Sequence, residues 1–510
     1  MKSISLPISE GLFVLIKSLK KSEKRNFKLF VNKQTKVDGI NTYLKLFNAI
    51  DKQDRYNEEL LIKKLKFSQR KLAYTKHLLY ELVLKSLRHL HDEKNPDFKL
   101  RTLLANTQIL YQKALYRQSY KMLMKAKKLA LDTENYSYLP DVLCWSAQLF
   151  FHTLGNSTPQ NAIGLIEDHK KITAKLNQEL ILKGIRETIF CFQCKHYVVN
   201  TSDEYINLDL LINHPLLKLT PDNFSFQAKL AYLEINGMYF QLINKSQKAC
   251  HYYEKLVLLW DQNPKFKQLK SEKYRQHLFT FLKLSLVNRQ PLNYPNWFSK
   301  FDQTQVANAQ EEAEKLALGL CLKKLYHFLY NHRNYKEEPE VIQKLSDPNI
   351  ANGFVLNYHL CLIYFSQHQP NKALLHLNRV FYHPTSKTLS HKQQGFIKIL
   401  ELLLYYDLGN LNSIDHLHKS VYRFIHKYRK EASFERMVIK YLKKLYNANN
   451  PVPVLTAFEQ ELRAFSKNQI PWHPFEQELL FTWIKHKLSK NVDQDKLPTM
   501  IEKSDRKNSY

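Results

Sequence analysis

Glycine is scarce in this chain, 10 of 510 residues. Average usage is roughly 7 %, so the tight turns of an all-β protein and the phosphate-cradling loops of most nucleotide-binding folds are excluded. The six cysteines, Cys144, Cys191, Cys194, Cys250, Cys321 and Cys361, are too dispersed for the disulfide framework of a small secreted domain. Long apolar runs are missing. Leu360-Cys361-Leu362-Ile363-Tyr364-Phe365 is typical of the longest, far short of the ~18–20 residues that span a bilayer. The N-terminus has Glu10 inside its apolar stretch and no small-residue cleavage site, so it does not read as a signal peptide. No membrane insertion is expected, and the expected location is the cytoplasm.

Signatures of catalysis are lacking too. None of G-x-x-x-x-G-K-[ST], G-x-G-x-x-G or G-x-S-x-G occurs. Cys191-Phe192-Gln193-Cys194 is the single CxxC, with no second pair to complete a structural zinc site. It lies in an apolar helical stretch, where cysteines are expected to pack as small buried hydrophobes. His416 and His418 stand two apart, about 200° around a helix, and do not chelate together. Glu311-Glu312-Ala313-Glu314 and Glu337-Glu338-Pro339-Glu340 read as solvated faces and loops. The expectation is no enzyme: no catalytic, cofactor-binding or metal-ligating residue, no cofactor, and no small-molecule substrate.

Basic residues are abundant, 77 against 47 acidic, for a net charge of +30. Only 16 of the 77 are Arg, so the excess is mostly Lys and reads as long-range attraction to anions rather than bidentate recognition. Apolar residues, 44 % of the chain with 30 Tyr and 29 Phe, suffice for a packed core. They recur at spacings of three and four nearly everywhere, which gives an all-α class.

Five stretches share a pattern: a turn after an apolar helix, a small or apolar anchor, another packing residue four further on, and often a third three beyond that. The anchors are Ser119, Ala162, Ala249, Ala373 and Ile414, separated by 43, 87, 124 and 41 residues. These are near-multiples of about 42, with a weaker copy at Arg333-Asn334-Tyr335. Around the anchors, Ala114, Tyr116, Leu123 and Ala126, then Tyr253, Leu377 and the turn residue Gly409, complete the packing positions. In its turn residue, following aromatic and small-residue trio, the stretch Ala114, Tyr116, Ser119, Leu123, Ala126 resembles the tetratricopeptide family. That resemblance covers roughly residues 100–445. It implies antiparallel helical hairpins stacked as an α-solenoid with a concave groove, although the period exceeds the family's 34 and the early Trp and Leu-Gly are missing. The N-terminal block resembles that of helical-repeat proteins from Bacteroidetes-type bacteria, which brings no activity with it.

That block is distinct. Leu12, Leu15, Ile16, Leu19, Phe27 and Phe30 share one helical face, with Lys17, Lys21, Lys24, Arg25 and Lys28 opposite and Lys20 on the flank. Ser22 reads as the N-cap where two helices meet. Segments over 43–50, 58–66 and 70–89 follow. Such a set can build a helix-turn-helix whose last helix enters a major groove. Short helical hairpins are far commoner than DNA readers, so a capping bundle with a solvated basic face is the expectation. The division expected is 1–97 as basic helical bundle or cap, 98–446 as helical-repeat solenoid, 447–489 as C-terminal capping helices and 490–510 as polar, flexible tail.

Two further stretches interleave aromatics with basics, 116–121 and 422–430. Because Tyr120, Phe424 and Ile425 have core spacing, both read first as amphipathic helices. The expected function is a scaffold or adaptor that binds a protein or peptide, acidic in character, in the solenoid groove. The alternative is nucleic-acid or ribonucleoprotein binding through Lys17, Lys20, Lys21, Lys24, Arg25, Lys28, Lys63, Lys64, Arg70 and Lys71.

Overall fold

A computed structural model describes residues 8–34, 40–53, 56–91, 95–152, 159–195, 202–243, 245–288, 294–306, 308–329, 354–383, 389, 391–428, 433–468, 477 and 479–489. Among these residues the protein is helical and contains no strand. Two compact units form, Met1–Asn177 and Gln178–Tyr510. The expected tail 490–510, the copy at Arg333-Asn334-Tyr335 and the acidic run at Glu337 lie outside the described residues.

The first unit opens with α1 (Ile8–Ser18), α2 (Lys21–Gln34), α3 (Ile40–Asp51), α4 (Glu58–Leu65) and α5 (Gln69–His91). Leu12, Ile16, Phe27, Leu46, Phe47, Ile50, Leu61, Leu72, Leu79 and Val83 are buried together. Phe27 and Phe47 stack with ring centroids 4.6 Å apart. Ser22 is not the cap between the first two helices. Helix α2 begins one residue earlier, and the Lys20 backbone N–H donates to Glu23 Oε2 at 2.8 Å. An acid three residues into a helix can reach back this way, and its charge suits the helix start.

A hairpin of α6 (Pro96–Gln112) and α7 (Tyr116–Asp132) follows. Asn95 caps α6 by accepting from the Asp97 N–H at 2.9 Å, with Pro96 opening the helix. Ser119 is buried, and its hydroxyl donates to the Thr107 carbonyl at 2.8 Å, which pins α7 against α6. Leu123, Ala126 and Ala130 are buried below it. Tyr120 is not core: it is 43 % exposed, in company with exposed Met124 and Leu131. The helix carries more large side chains than its packed face can take. Helix α8 (Leu139–His152) follows, and the 37-residue α9 (Pro159–Lys195) contains the division between the units.

The second unit continues with α10 (Ser202–Ile212), α11 (Pro215–Lys218), α12 (Phe226–Leu242), α13 (Ser246–Asp261), α14 (Pro264–Leu269) and α15 (Ser271–Val287). Then come α16 (Tyr294–Asp302), α17 (Ala309–Leu329), α18 (Phe354–Ser366), α19 (Pro370–Tyr382), α20 (His391–Asp407), α21 (Leu411–Tyr428), α22 (Ser433–Tyr446) and α23 (Val452–Asn468). Residues 479–489 are helical, and Trp483 and Lys487 tie them to Asp407 of α20, Lys487 at 2.7 Å. Helices α12 and α13, α18 and α19, and α20 and α21 pack as consecutive antiparallel partners, as α6 and α7 do in the first unit. Ala249, Tyr253, Ala373, Leu377 and Ile414 are all buried. Ala162 belongs to α9, and its side chain lies outside the described set.

A buried carboxylate joins four helices of this unit. Glu234 of α12 is 8 % exposed. It accepts from His277 Nε2 of α15 at 2.7 Å and Lys273 Nζ at 3.1 Å, with Arg186 of α9 at 3.5 Å. Trp260 Nε1 of α13 donates to His277 Nδ1 at 3.0 Å. Because an indole only donates, His277 carries its proton on Nε2. Burial pushes the Glu234 carboxyl up, but the His277 bond and the charges of Lys273 and Arg186 outweigh it and hold the group at about 2.

Five described helix ends turn through a left-handed residue: Lys66 (φ 52°), and then Ala114 (φ 58°), Glu134 (φ 48°), His368 (φ 57°) and Gly409 (φ 70°), which share a second feature. In each of these four, the next N–H reaches back to close the helix, as Leu115 does to the Leu110 carbonyl at 3.0 Å and Asn410 to Tyr405 at 3.0 Å.

Ala114→Gly is expected to raise the unfolding free energy by roughly 0.5–1 kcal/mol, and Gly409→Ala to lower it by a similar amount. Urea unfolding of both variants checks this, and a destabilised Ala114→Gly would contradict the strained turn. Glu234→Gln is expected to cost roughly 3 kcal/mol at pH 7, since it leaves two cations facing a neutral group. The folded value of Glu234 lies below the ordinary 4.5, so its contribution is complete above that value and fades as pH falls toward about 2. The penalty measured at pH 3 should therefore be smaller than at pH 7.

Candidate functional site

Helices α21 and α22 each divide sharply into two faces. On α21, Ile414, Val421 and Ile425 are buried, while Lys419, Tyr422, Arg423 and His426 are exposed. On α22, Phe434, Met437, Val438, Tyr441, Leu442 and Leu445 are buried, and Arg436, Lys440, Lys443 and Lys444 stand exposed at spacings of four, three and one. The two exposed faces and Val454 of α23 enclose a hollow of about 1240 Å³. Six cations line it, together with Ile425, Ile439 and Val454, and no carboxylate is among the described lining residues.

His418 links the two helices within this hollow, its Nε2 donating to the Ile439 carbonyl at 3.4 Å. Burial lowers its imidazole, against that bond. Just outside, Asp415 meets Lys419 at 2.8 Å, and Glu461 of α23 lies 3.8 Å from Lys440. The Lys419 bond holds Asp415 below the usual carboxylate range. Glu461 also accepts from the Tyr441 hydroxyl at 2.6 Å, and burial together with that carboxylate pushes Tyr441 up to about 12.

The interleaved stretch beginning at Tyr422 therefore splits. Tyr422, Arg423 and His426 face the hollow, with the Tyr422 and His426 rings 4.6 Å apart, whereas Phe424 is half-buried and Ile425 buried. Residues 429–432 lie outside the described set. Sequence reasoning missed Lys419, Arg436, Lys440, Lys443 and Lys444, although the cation stripe opposite the apolar stripe of α22 is visible in the spacing. In the first unit, Tyr116 is half-buried and stacks on His152 with centroids 3.9 Å apart.

The N-terminal cations fall into two groups. Lys17 Nζ donates to the Asp51 carbonyl at 2.8 Å, and Lys24 pairs with the Asp51 carboxylate at 2.6 Å, so both fasten α3 to the first two helices. Lys28 is half-buried, 5.9 Å from the Phe47 ring centre. Lys20, Lys21, Arg25, Lys63, Lys64, Arg70 and Lys71 are exposed. Lys21, Lys24, Arg25 and Lys28 border a smaller hollow of about 390 Å³ that also contains Asp51.

Cys191 is exposed, which corrects its expected burial; it stands two residues past buried Ile189, on the opposite side of α9. The Cys194 side chain lies outside the described set. No group of His, Cys, Asp or Glu among the described residues is placed to hold a metal ion. No described helix is long and apolar enough to cross a membrane.

Protein-family models, curated proteins and solved structures were compared with the chain. None matches. The chemistry of the hollow therefore rests on its own residues.

Six cations around one hollow repel each other in the unliganded protein. Lys443→Gln is expected to raise stability by roughly 0.2–0.5 kcal/mol at low salt, the size of one like-charge pair on a helix. Thermal unfolding at 20 mM and 500 mM salt checks this, and the gain should vanish at the higher concentration.

Proposed function

We propose that the protein is a non-enzymatic adaptor that holds an acidic, amphipathic protein segment in the groove between α21 and α22. One observation carries the reading: six cations and no carboxylate among the described residues that line the hollow, with the ring of Tyr422 and half-buried Val454 between them. A hollow of about 1240 Å³ exceeds the ~300–1,000 Å³ usual for small-molecule sites. An acidic helix with one apolar face satisfies both parts of the lining, laying its apolar residues against Tyr422, Val454 and the lysine stems and its carboxylates against the cations. A single-stranded nucleic acid would want several stacking aromatics, and here Tyr422 is the one exposed Tyr, Phe or Trp among the described lining residues.

We read the consecutive helix pairs as parts of a tetratricopeptide-like α-solenoid. The buried small anchors Ser119, Ala249 and Ala373 at the second helix of each pair support that reading. We place the protein in the cytoplasm, and the five described cysteines, all free thiols, support a reducing compartment.

The test is fluorescence anisotropy of the full chain with a labelled Glu/Leu amphipathic helical peptide, its Lys/Leu counterpart and labelled oligothymidine. The acidic peptide should bind, and the double variant Lys440→Glu/Lys443→Glu should weaken it by about tenfold or more. Equal binding of the acidic and basic peptides, or tighter binding of oligothymidine, would sink the adaptor reading.

A further inference from the structure

A second basic surface, in the first unit, has a different construction. From Leu60 to Tyr80 the chain carries six Lys or Arg and no Asp or Glu. This stretch spans most of the eight-residue α4, a three-residue turn and the first half of α5. Lys66, the first turn residue, takes left-handed φ 52°, ψ 41°, which ends α4 without a glycine. Phe67 tucks half-buried against the core. Ser68 then caps α5: its hydroxyl accepts from the Lys71 N–H at 3.3 Å, and its carbonyl accepts from Leu72 N–H at 2.9 Å.

A buried lysine of α5 ties it to the start of α4. Leu61, Leu72, Thr75 and Leu79 are buried. Lys76 of α5, itself buried, bonds Glu58 at the start of α4 at 2.8 Å and the Tyr56 hydroxyl at 3.2 Å. The Lys76 bond draws Glu58 below the usual carboxyl value. On the opposite side of α5, Arg70, Tyr74 and His77 project at spacings of four and three, all exposed, Tyr74 by 69 %. Gln69 and Lys71 stand exposed at the helix start.

We propose that α4 and α5 form a helix-turn-helix that binds duplex DNA, with the first three turns of α5 in the major groove. Two helices joined by a three- or four-residue turn, the second presenting its N-terminal residues, are the geometry of that motif. The side chains presented suit base edges: Arg70 can bond guanine bidentately, Gln69 can bond adenine, and the ring of Tyr74 can lie against a thymine methyl. Lys63 and Lys64, at the end of α4, are placed for backbone phosphates, as is the N-terminus of α5. Composition separates this surface from the α21–α22 groove: the exposed stripe of α5 is Arg70, Tyr74 and His77, with Gln69 and Lys71 at its start, a set that offers base-edge hydrogen bonds and phosphate contacts. The groove of duplex RNA is too deep and narrow for side chains to read, which favours DNA.

The experiment uses the full chain and a random-sequence duplex library, with several rounds of selection and sequencing at 100 mM salt. One motif should be enriched. Arg70→Ala/Tyr74→Ala should lose about tenfold or more of the preference for that motif, the size of one bidentate pair. Lys63→Gln/Lys64→Gln should instead weaken all duplexes alike and flatten the salt dependence by about 0.9 in log–log slope per lost phosphate contact. Circular dichroism of each variant verifies that its helices are intact. Absence of binding at low salt, binding without an enriched motif, a motif preference that survives Arg70→Ala/Tyr74→Ala, or stronger binding of an RNA hairpin would each overturn the assignment.

Discussion

Every helix in this chain must end, and it has few glycines with which to end them. The described turns meet that constraint by forcing ordinary side chains into the left-handed region, at Lys66, Ala114, Glu134 and His368, with Gly409 the one glycine so used among them. Each such residue costs about 1–2 kcal/mol relative to its helical conformation. The closing hydrogen bonds offset it, such as Asn135 to the Ala130 carbonyl at 2.8 Å and Gln369 to Tyr364 at 3.0 Å. With the helix ended in two or three residues, the next one starts at once and packs back on its predecessor. Ser119, Ala249 and Ala373 sit a few residues into those second helices, where a small side chain lets two backbones approach. The hairpins follow from the turns.

Packing alone leaves neighbouring hairpins free to slide, because apolar contacts tolerate small shifts. Glu234 removes that freedom within the second unit. A buried carboxylate is tolerated only with its hydrogen bonds complete, and the partners of Glu234 come from α9 and α15, with Trp260 of α13 fixing the tautomer of His277. A shift of any of these helices by one residue would leave a charge buried without its bond. Gly237, one turn further along α12, carries the same message in steric form: a Cβ there would stand 2.8 Å from the Tyr253 ring.

Much of the helical layout was legible in the sequence, and the reasons are local. Apolar residues at spacings of three and four announce the helices, and the small anchors mark buried contacts. Three features were not legible, each for its own reason. The break between α1 and α2 was assigned to a hydroxyl when an acid three residues into the helix did the capping. Tyr120 has core spacing, but apolar spacing does not identify the packed face when a helix carries apolar residues on two. The groove cations of α22 were visible as a stripe, yet only coordinates set them opposite the stripe of α21. A site made by two helices has no signature in either one alone.

The +30 charge divides between surfaces of different physical character. In the α21–α22 groove the cations accompany Tyr422 and half-buried Val454, so binding would combine a salt-sensitive term with apolar burial that salt does not screen. On α4 and α5 the cations accompany Gln69, Tyr74 and His77, and attraction there would come mainly from counterion release, which weakens steeply as salt rises. Two of the N-terminal cations, Lys17 and Lys24, belong to neither surface, because Asp51 already holds them. Net charge by itself thus describes no site. The composition around each cation decides whether it attracts a polyanion, grips an acidic helix or simply fastens one helix to the next.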